Sequence, residues 1–535
     1  MTNERSRLPT DLLLLAGFCG FLFFFGLASF GLVGADEPRY AQVAREMFAR
    51  HDWITPTLGG QPWLEKPVLY YWQTIIAYHL FGVSDWAARL ASAVDAALMV
   101  AAVYFFLRRF RRGFELDGAL ITASAAGVIG FARSASTDMP LAAMFTIALL
   151  AWYAWRESGV KIYLAGFYVF LGLGALAKGP VAPFLAGAAL VIFAALQRDA
   201  RLIGRTLWIP GILLGCAVAL PWYLAVQMRN PEFFRQFILE QNFARFGSNL
   251  YHHTQPFWFY LPVLLLGLMP WVVLIIAAVI EVLRAWWGEG RAIFQSEDAL
   301  NVFLILWLVV PVAFFSISQS KLPGYILPAL PAGTLLLAEY VRRHVVDEDS
   351  APVWLTGLHA VLAASLIIPA LMFHYLLLQH RFPWSAATGI ACGIAAALAV
   401  GIVITVHRAA GLRWVRFVTL IPVVLALALL VRAGTPVLDA TLSARPLAQE
   451  IASMETTPLP VAVFRASRET EYGLAFYRDQ KIARYERGEI PEAQHLVVAP
   501  RGSQTEVAKR VVGRRVSYLG SFAPQNLDYF WVAAK

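Results

Sequence analysis

Fourteen apolar runs punctuate the chain, beginning near residues 11, 67, 84, 118, 138, 162, 180, 207, 257, 300, 322, 353, 386 and 414. A run of ~20 apolar residues matches the ~30 Å hydrocarbon core of a bilayer, and a helix satisfies its own backbone there. The run at 67–82, "PVLYYWQTIIAYHLFG", is short for a span and carries Tyr70, Tyr71, Gln73 and His79. Setting it aside leaves about thirteen spans. The loops at 108–112, 197–205, 342–343 and 407–416, rich in arginine, then share one side with the basic N-terminus. Lysine and arginine concentrate in short cytoplasmic loops, so that side is the cytoplasm. Counting 67–82 as a span would scatter the same charges over both sides. The pattern therefore predicts a helix lying at, or dipping into, the interface. The first run, "DLLLLAGFCGFLFFFGLASFGLV", is too long for a cleaved leader and is expected to remain as the first span.

With the N-terminus inside, residues 34–83 lie outside. Asp36, followed by Glu37 and Pro38, reads as a helix N-cap with proline in the first turn. The helix after it turns Tyr40, Val43, Ala44, Met47 and Phe48 to one face and Arg39, Gln42, Arg45, Glu46 and Arg50 to the other, the pattern of an interfacial amphipathic helix. Beyond residue 432 the texture changes to short β-rich segments such as "KIARY", "HLVVAP", "RVSYLG" and "LDYFWVAAK". The expected division is a transmembrane domain over 1–432, with juxtamembrane helices at about 34–83, and a small extracytoplasmic α/β domain over 433–535.

Composition agrees with a polytopic α-helical membrane protein. Hydrophobic residues make up 59%, charged residues 15%, and mean hydropathy is +0.60, against ~25% charged residues in a soluble domain. The net charge of +9 sits in the loops that set orientation, which removes nucleic acid as its reason. Cys19, Cys216 and Cys392 lie inside apolar runs and indicate neither a disulfide framework nor a thiolate metal site. "GLGALAKGP" lacks phosphate-loop spacing, so no nucleotide is expected.

The same topology places Asp36, Glu65, Lys66, Arg133, Asp138, Lys178, His252, His253, Lys321 and Tyr325 at the extracytoplasmic surface. Singly, each has an ordinary explanation. Asp36 and Asp138 suit helix caps, Lys66 and Lys321 suit snorkelling anchors, Lys178 suits a tight turn, and a tandem histidine has no ligand spacing of its own. Together, ionisable groups at membrane depth point to a site. Lysines and arginines suit a phosphate, an acid with a histidine suits a divalent metal, and an unpaired acid suits a general base. Outside the cell no nucleotide sugars are at hand, so an activated donor must arrive on a lipid. That suggests group transfer from a polyprenyl phosphate.

The segments "GADEPRYAQVAREM", "PWLEKPVLYYW", "STDMP", "LAKGP", "HTQPFWFYLP" and "SKLPGYILPALP", in that order over about residues 10–345, resemble the membrane-embedded GT-C glycosyltransferases. These include the protein O-mannosyltransferases and, closer still, the bacterial lipid A 4-amino-4-deoxy-L-arabinose transferases, whose layout also ends in an α/β domain. The resemblance implies an inner-membrane enzyme that takes a sugar from undecaprenyl phosphate to an extracytoplasmic acceptor such as a lipid A phosphate. It implies catalytic acids at Asp36, Glu37 and Asp138, and substrate contacts at Arg39, Tyr40, Lys66, Lys178, Lys321 and Tyr325. A divalent metal (Zn, Mg or Mn) would be held by Glu65 with His253 or His252. Thr254 and Gln255 stand where the family's phosphate-contacting arginine is expected, leaving Arg245 as the substitute. Two other readings stay open: a protein or polysaccharide O-glycosyltransferase using the same donor class, and a transporter of lipid-linked solutes. Against transport stand the gathering of charge at one surface and the absence of duplicated halves.

Overall fold

The computed structural model describes residues 7–237, 240, 255–296, 298–346, 352–379 and 385–535. Among them, nine helices are long and apolar enough to cross a membrane, and up to eleven if two bent pairs each count as one span. Two shorter apolar helices, Leu8–Phe24 and Val181–Gln197, stand at two further anticipated runs. The helix Leu69–Phe81 has 13 residues, about 20 Å at 1.5 Å per residue, and falls short of a bilayer core.

The chain forms two compact units that interleave along the sequence. One takes in the chain through Phe25, Leu64–Tyr70 and Leu90–Leu430; the other takes in Gly26–Trp63, Tyr71–Arg89 and Val431–Lys535. The juxtamembrane segments thus group with the C-terminal residues.

In the first unit, backbone breaks are satisfied by neighbours, as a dry environment requires. Glu115–Ser124 and Ala126–Ala132 meet at a 65° bend where Ala125 is extended, and the Ala126 amide donates to the Met269 carbonyl at 2.8 Å. Small residues set close helix approach: a Cβ on Gly172 would lie 2.7 Å from the Gly215 carbonyl oxygen, joining Lys161–Lys178 to Ile209–Arg229. Ion pairs tie helix ends together at one level. Arg108 pairs with Glu115 at 3.5 Å, Arg342 with Glu339 at 3.1 Å and Arg111 with Glu339 at 3.7 Å, and Arg416 pairs with Asp117. Tyr104 donates to Asp11 near the start of the first helix. The arginines of three basic loops thus share one end of this helical unit.

In the second unit, helix Asp36–Ala49 buries Tyr40, Val43, Ala44 and Met47 of the expected apolar face; Gln42, read onto the polar face, is buried with them, because the helix is packed on more than one side. The hairpin of β1 (Thr57–Leu58) and β2 (Gln61–Pro62) turns through Gly59 and Gly60, both at positive φ. Glu46 accepts from both glycine amides, at 2.7 and 3.1 Å, and from the Thr57 hydroxyl. The C-terminal part is an α/β sandwich. Strands β3 (Val461–Val463), β4 (Ala483–Arg484), β5 (His495–Pro500), β6 (Val516–Phe522) and β7 (Leu527–Val532) lie in the order β4-β3-β5-β7-β6. β3 is parallel to β4 and β5, while β7 is antiparallel to β5 and β6. Alternation along the strands sends Val461, Val463 and Val498 to one core with Leu447 and Leu474, and Ala462, Val497 and Phe530 to another with Val507.

Candidate active site

The helical unit gathers one cluster around the first turn of helix Asp138–Ser158. Asp138 occupies the first helical position rather than the cap, which is Thr137. Its amide donates to the Ser136 hydroxyl at 3.0 Å, and that hydroxyl donates to the carboxylate at 2.9 Å. Lys178, at the last position of Lys161–Lys178, donates to the same carboxylate. Its ammonium also stands over the Tyr325 ring, 4.5 Å from the centroid. Both placements follow helix electrostatics, since an acid in a first turn and a cation in a last turn oppose the partial charges there. Lys66 lies close enough for its charge to act on Asp138. Gly324 closes the cluster: a Cβ there would fall 2.6 Å from the Asp138 carboxyl carbon. The span Pro323–Val345 carries Tyr325 at one end and Glu339 and Arg342 at the other, so this cluster and the basic loops occupy opposite ends of one helix.

The second unit holds the residues of "GADEPRY". The reading of Asp36 as an N-cap is corrected: Ala35 is the cap residue, and Asp36 is already helical. Its carboxylate, 55% exposed, pairs with Arg39 one turn on. The Arg39 guanidinium is flanked by the rings of Tyr40, Trp63 and Tyr472, with centroids at 5.1, 5.2 and 5.8 Å. Three aromatic faces around one guanidinium fix its plane. Glu37 goes elsewhere. It accepts from the Val33 amide at 2.9 Å and pairs with Arg89 at 2.7 Å, where the side chains are 6% and 0% exposed.

The remaining anticipated residues fall as follows. Lys321 is buried and donates to the Ser318 carbonyl within its own loop. Arg133 donates to the Leu22 carbonyl at 3.2 Å. Glu65 is partly buried, while His252, His253 and Arg245 lie outside the described residues. Among the described residues, no group of three or more His, Cys, Asp or Glu side chains comes together as a metal site. Sequence reasoning passed over Ser136, Gly324 and Arg89. Arg89 carried a legible signal, being a lone arginine at the start of an apolar helix, which must find partners. Gly324 carried none, because close approach across 186 residues is not a local property.

The chain is similar to known proteins in sequence and in fold. Residues 11–237 match the family model described as dolichyl-phosphate-mannose-protein mannosyltransferase. The undecaprenyl phosphate-alpha-4-amino-4-deoxy-L-arabinose arabinosyl transferase of Pseudomonas aeruginosa strain UCBPP-PA14 is 34% identical over 385 residues, 71% of this chain and 67% of that protein. Its namesake from Edwardsiella ictaluri strain 93-146 is 33% identical over 332 residues, 60% of this chain and 58% of that one. The crystal structure of ArnT from Cupriavidus metallidurans bound to undecaprenyl phosphate superimposes with a TM-score of 0.76 at 23% identity, covering 97% of both chains. Its apo form gives 0.73 at 21%, with the same coverage. The likeness of fold runs the length of the chain, and the likeness of sequence spans most of it: the chain belongs to the undecaprenyl phosphate-alpha-4-amino-4-deoxy-L-arabinose arabinosyl transferases, polytopic membrane glycosyltransferases of the GT-C fold.

Proposed function

We propose that the protein transfers 4-amino-4-deoxy-L-arabinose from undecaprenyl phosphate to a phosphate of lipid A, at the periplasmic face of the bacterial inner membrane. The observation that carries this reading is the pairing of Lys178 with Asp138 beside Tyr325 and within the field of Lys66. The names of the relatives supply the donor. The orientation rests on the basic loops, which take the end of the helical unit opposite this cluster.

The chemistry then follows from charge. An oxygen of the acceptor phosphate attacks the anomeric carbon, and the bond from that carbon to the donor's phosphate oxygen breaks. The electron pair leaves with undecaprenyl phosphate, which gains one negative charge in becoming a monoester. Lys178 and Lys66 are the cations placed to stabilise that charge as it develops. Asp138 acts through Lys178, holding the ammonium in place, and is therefore a positioning residue. Because the acceptor is already ionised, no proton must be removed. Asp36 and Arg39 serve to orient the acceptor and the sugar, and an acceptor hydroxyl would recruit Asp36 as a base. Glu37, saturated by Arg89 and Val33, contributes through the shape of the segment.

The test is mass spectrometry of lipid A from cells with and without the protein, alongside transfer by the purified protein from the undecaprenyl-linked sugar. Lipid A heavier by one aminopentose supports the reading. Unchanged lipid A with altered glycoproteins or glycans replaces the acceptor. Unaltered products with donor moved across vesicle membranes would make the protein a transporter. Lys178→Ala should lower transfer at least tenfold, because it removes the cation placed to stabilise the departing phosphate.

A further inference from the structure

The segment between the first span and Asp36 has little regular structure of its own; residues 27–33 are turns, bends and a single bridge from Val33 to Ser443. Its conformation is written instead by side chains from distant parts of the same unit. Arg89 takes the carbonyls of Leu27, Phe30 and Gly31 at 3.0, 2.8 and 2.8 Å. From the C-terminal part, Arg445 takes those of Ala28 and Ser29 at 3.2 and 3.3 Å. Asp439 accepts the Gly31 amide at 2.8 Å, and the Tyr477 hydroxyl accepts the Leu32 amide at 2.7 Å.

The holders are themselves held. Arg445 forks across Asp439 at 2.7 Å and Asp85 at 2.9 Å, and Tyr477 donates to Asp85 at 3.4 Å. Burial first, and then the neighbouring Asp85 charge, push the Tyr477 phenol up, so it stays a neutral hydroxyl. Gly31 sits where nothing larger fits: a Cβ there would lie 2.3 Å from the Ser443 hydroxyl and 2.5 Å from that of Tyr477. The carbonyls of residues 27–31 and the amides of Gly31 and Leu32 each have a side-chain partner, and that narrows the conformations open to the segment.

We infer that Arg445 and Tyr477 are positioning residues of the transfer reaction: the C-terminal domain clamps residues 28–32 and thereby aims Asp36 and Arg39. This inference rests on the proposed function for its kinetic consequence. What the domain grips here is this chain's own backbone. Asp36 follows the clamped stretch by four residues and Arg39 by one further helical turn. An error of about 1 Å in such placement costs transfer on the order of a hundredfold.

The experiment uses the full-length protein in nanodiscs with Tyr477→Phe, Arg445→Ala and a control, Tyr529→Phe. Tyr529 lies in the same domain but donates to Glu450, away from the clamped segment. Steady-state transfer and hydrogen exchange are read together. Tyr477→Phe and Arg445→Ala should lower kcat tenfold or more, leave KM for the donor within about twofold, and unprotect the Gly31 and Leu32 amides. Strand β5 should keep its protection, and Tyr529→Phe should change neither reading. The inference is overturned if kcat falls with the 28–32 amides still protected, or if those amides open with kcat intact. Loss of β5 protection in step with activity would overturn it too, since the domain as a whole would then have failed. Should the wild-type protein transfer no sugar, the functional reading fails by itself. The exchange arm still decides whether Arg445 and Tyr477 hold the segment.

Discussion

Asp36 and Glu37 are neighbours with opposite circumstances, and the difference assigns their work. Asp36 is half exposed and shares its charge with Arg39, whereas Glu37 is sealed against Arg89. Breaking a buried pair by removing one partner leaves an uncompensated charge and costs about 3–5 kcal/mol; an exposed isosteric change costs within ~0.5 kcal/mol. Asp36→Asn, which weakens the orienting pair with Arg39, should lower transfer at least tenfold while the unfolding temperature in detergent stays put. Glu37→Ala should lower that temperature sharply and take activity with it. Paired melting and transfer assays on the two variants decide this, and equal melting temperatures would contradict the assignment. Adjacent acids in "GADEPRY" offered no local way to tell them apart, because the partner that distinguishes them lies 52 residues away.

At the scale of elements, packing at Gly324 and protonation on β5 are both open to measurement. The Gly324 backbone lies in ordinary φ space, so Gly324→Ala adds only a methyl group against the Asp138 carboxylate. Transfer should fall at least tenfold with the helix Asp138–Ser158 intact, as circular dichroism would report. On β5, His495 is buried. Its Nε2 receives the Tyr485 hydroxyl at 2.5 Å and its Nδ1 faces the Ala493 carbonyl at 2.8 Å. Burial, and then the Arg514 charge, hold its pKa below the ordinary value near ~6.5. The native state therefore binds fewer protons than the unfolded one below that pH. The stabilisation is complete above ~6.5 and fades as pH falls toward the depressed native value. Exchange protection of β5 in the full chain, corrected for intrinsic rates, should decline between pH 7.5 and 5.5; in His495→Gln the decline should vanish.

The whole molecule was more legible than its site. Length and apolarity alone force helices across a bilayer, and the arginine loops sort their ends, so the spans, the short helix at 69–81 and the β-rich tail all follow from local pattern. Pairings such as Lys178 with Asp138, or Gly324 against Asp138, depend on how helices pack, which no window of sequence encodes. The grouping of residues 26–63 and 71–89 with the tail likewise depends on long-range packing that local texture does not encode. The proposed orientation is checked with single cysteines at 66, 179 and 343 in a cysteine-free background. An impermeant thiol reagent applied to intact spheroplasts should label the first two and spare the third.

Leu32 and Tyr477 are 445 residues apart, and that span has a temporal meaning. Chains leave the ribosome at ~5–20 residues per second, so the segment bearing Asp36 is inserted many seconds before the groups that shape it exist. The contacts from Asp439, Arg445 and Tyr477 that shape this segment can form only once those later residues have been made and folded, so the order of synthesis sets the order in which the segment acquires its conformation.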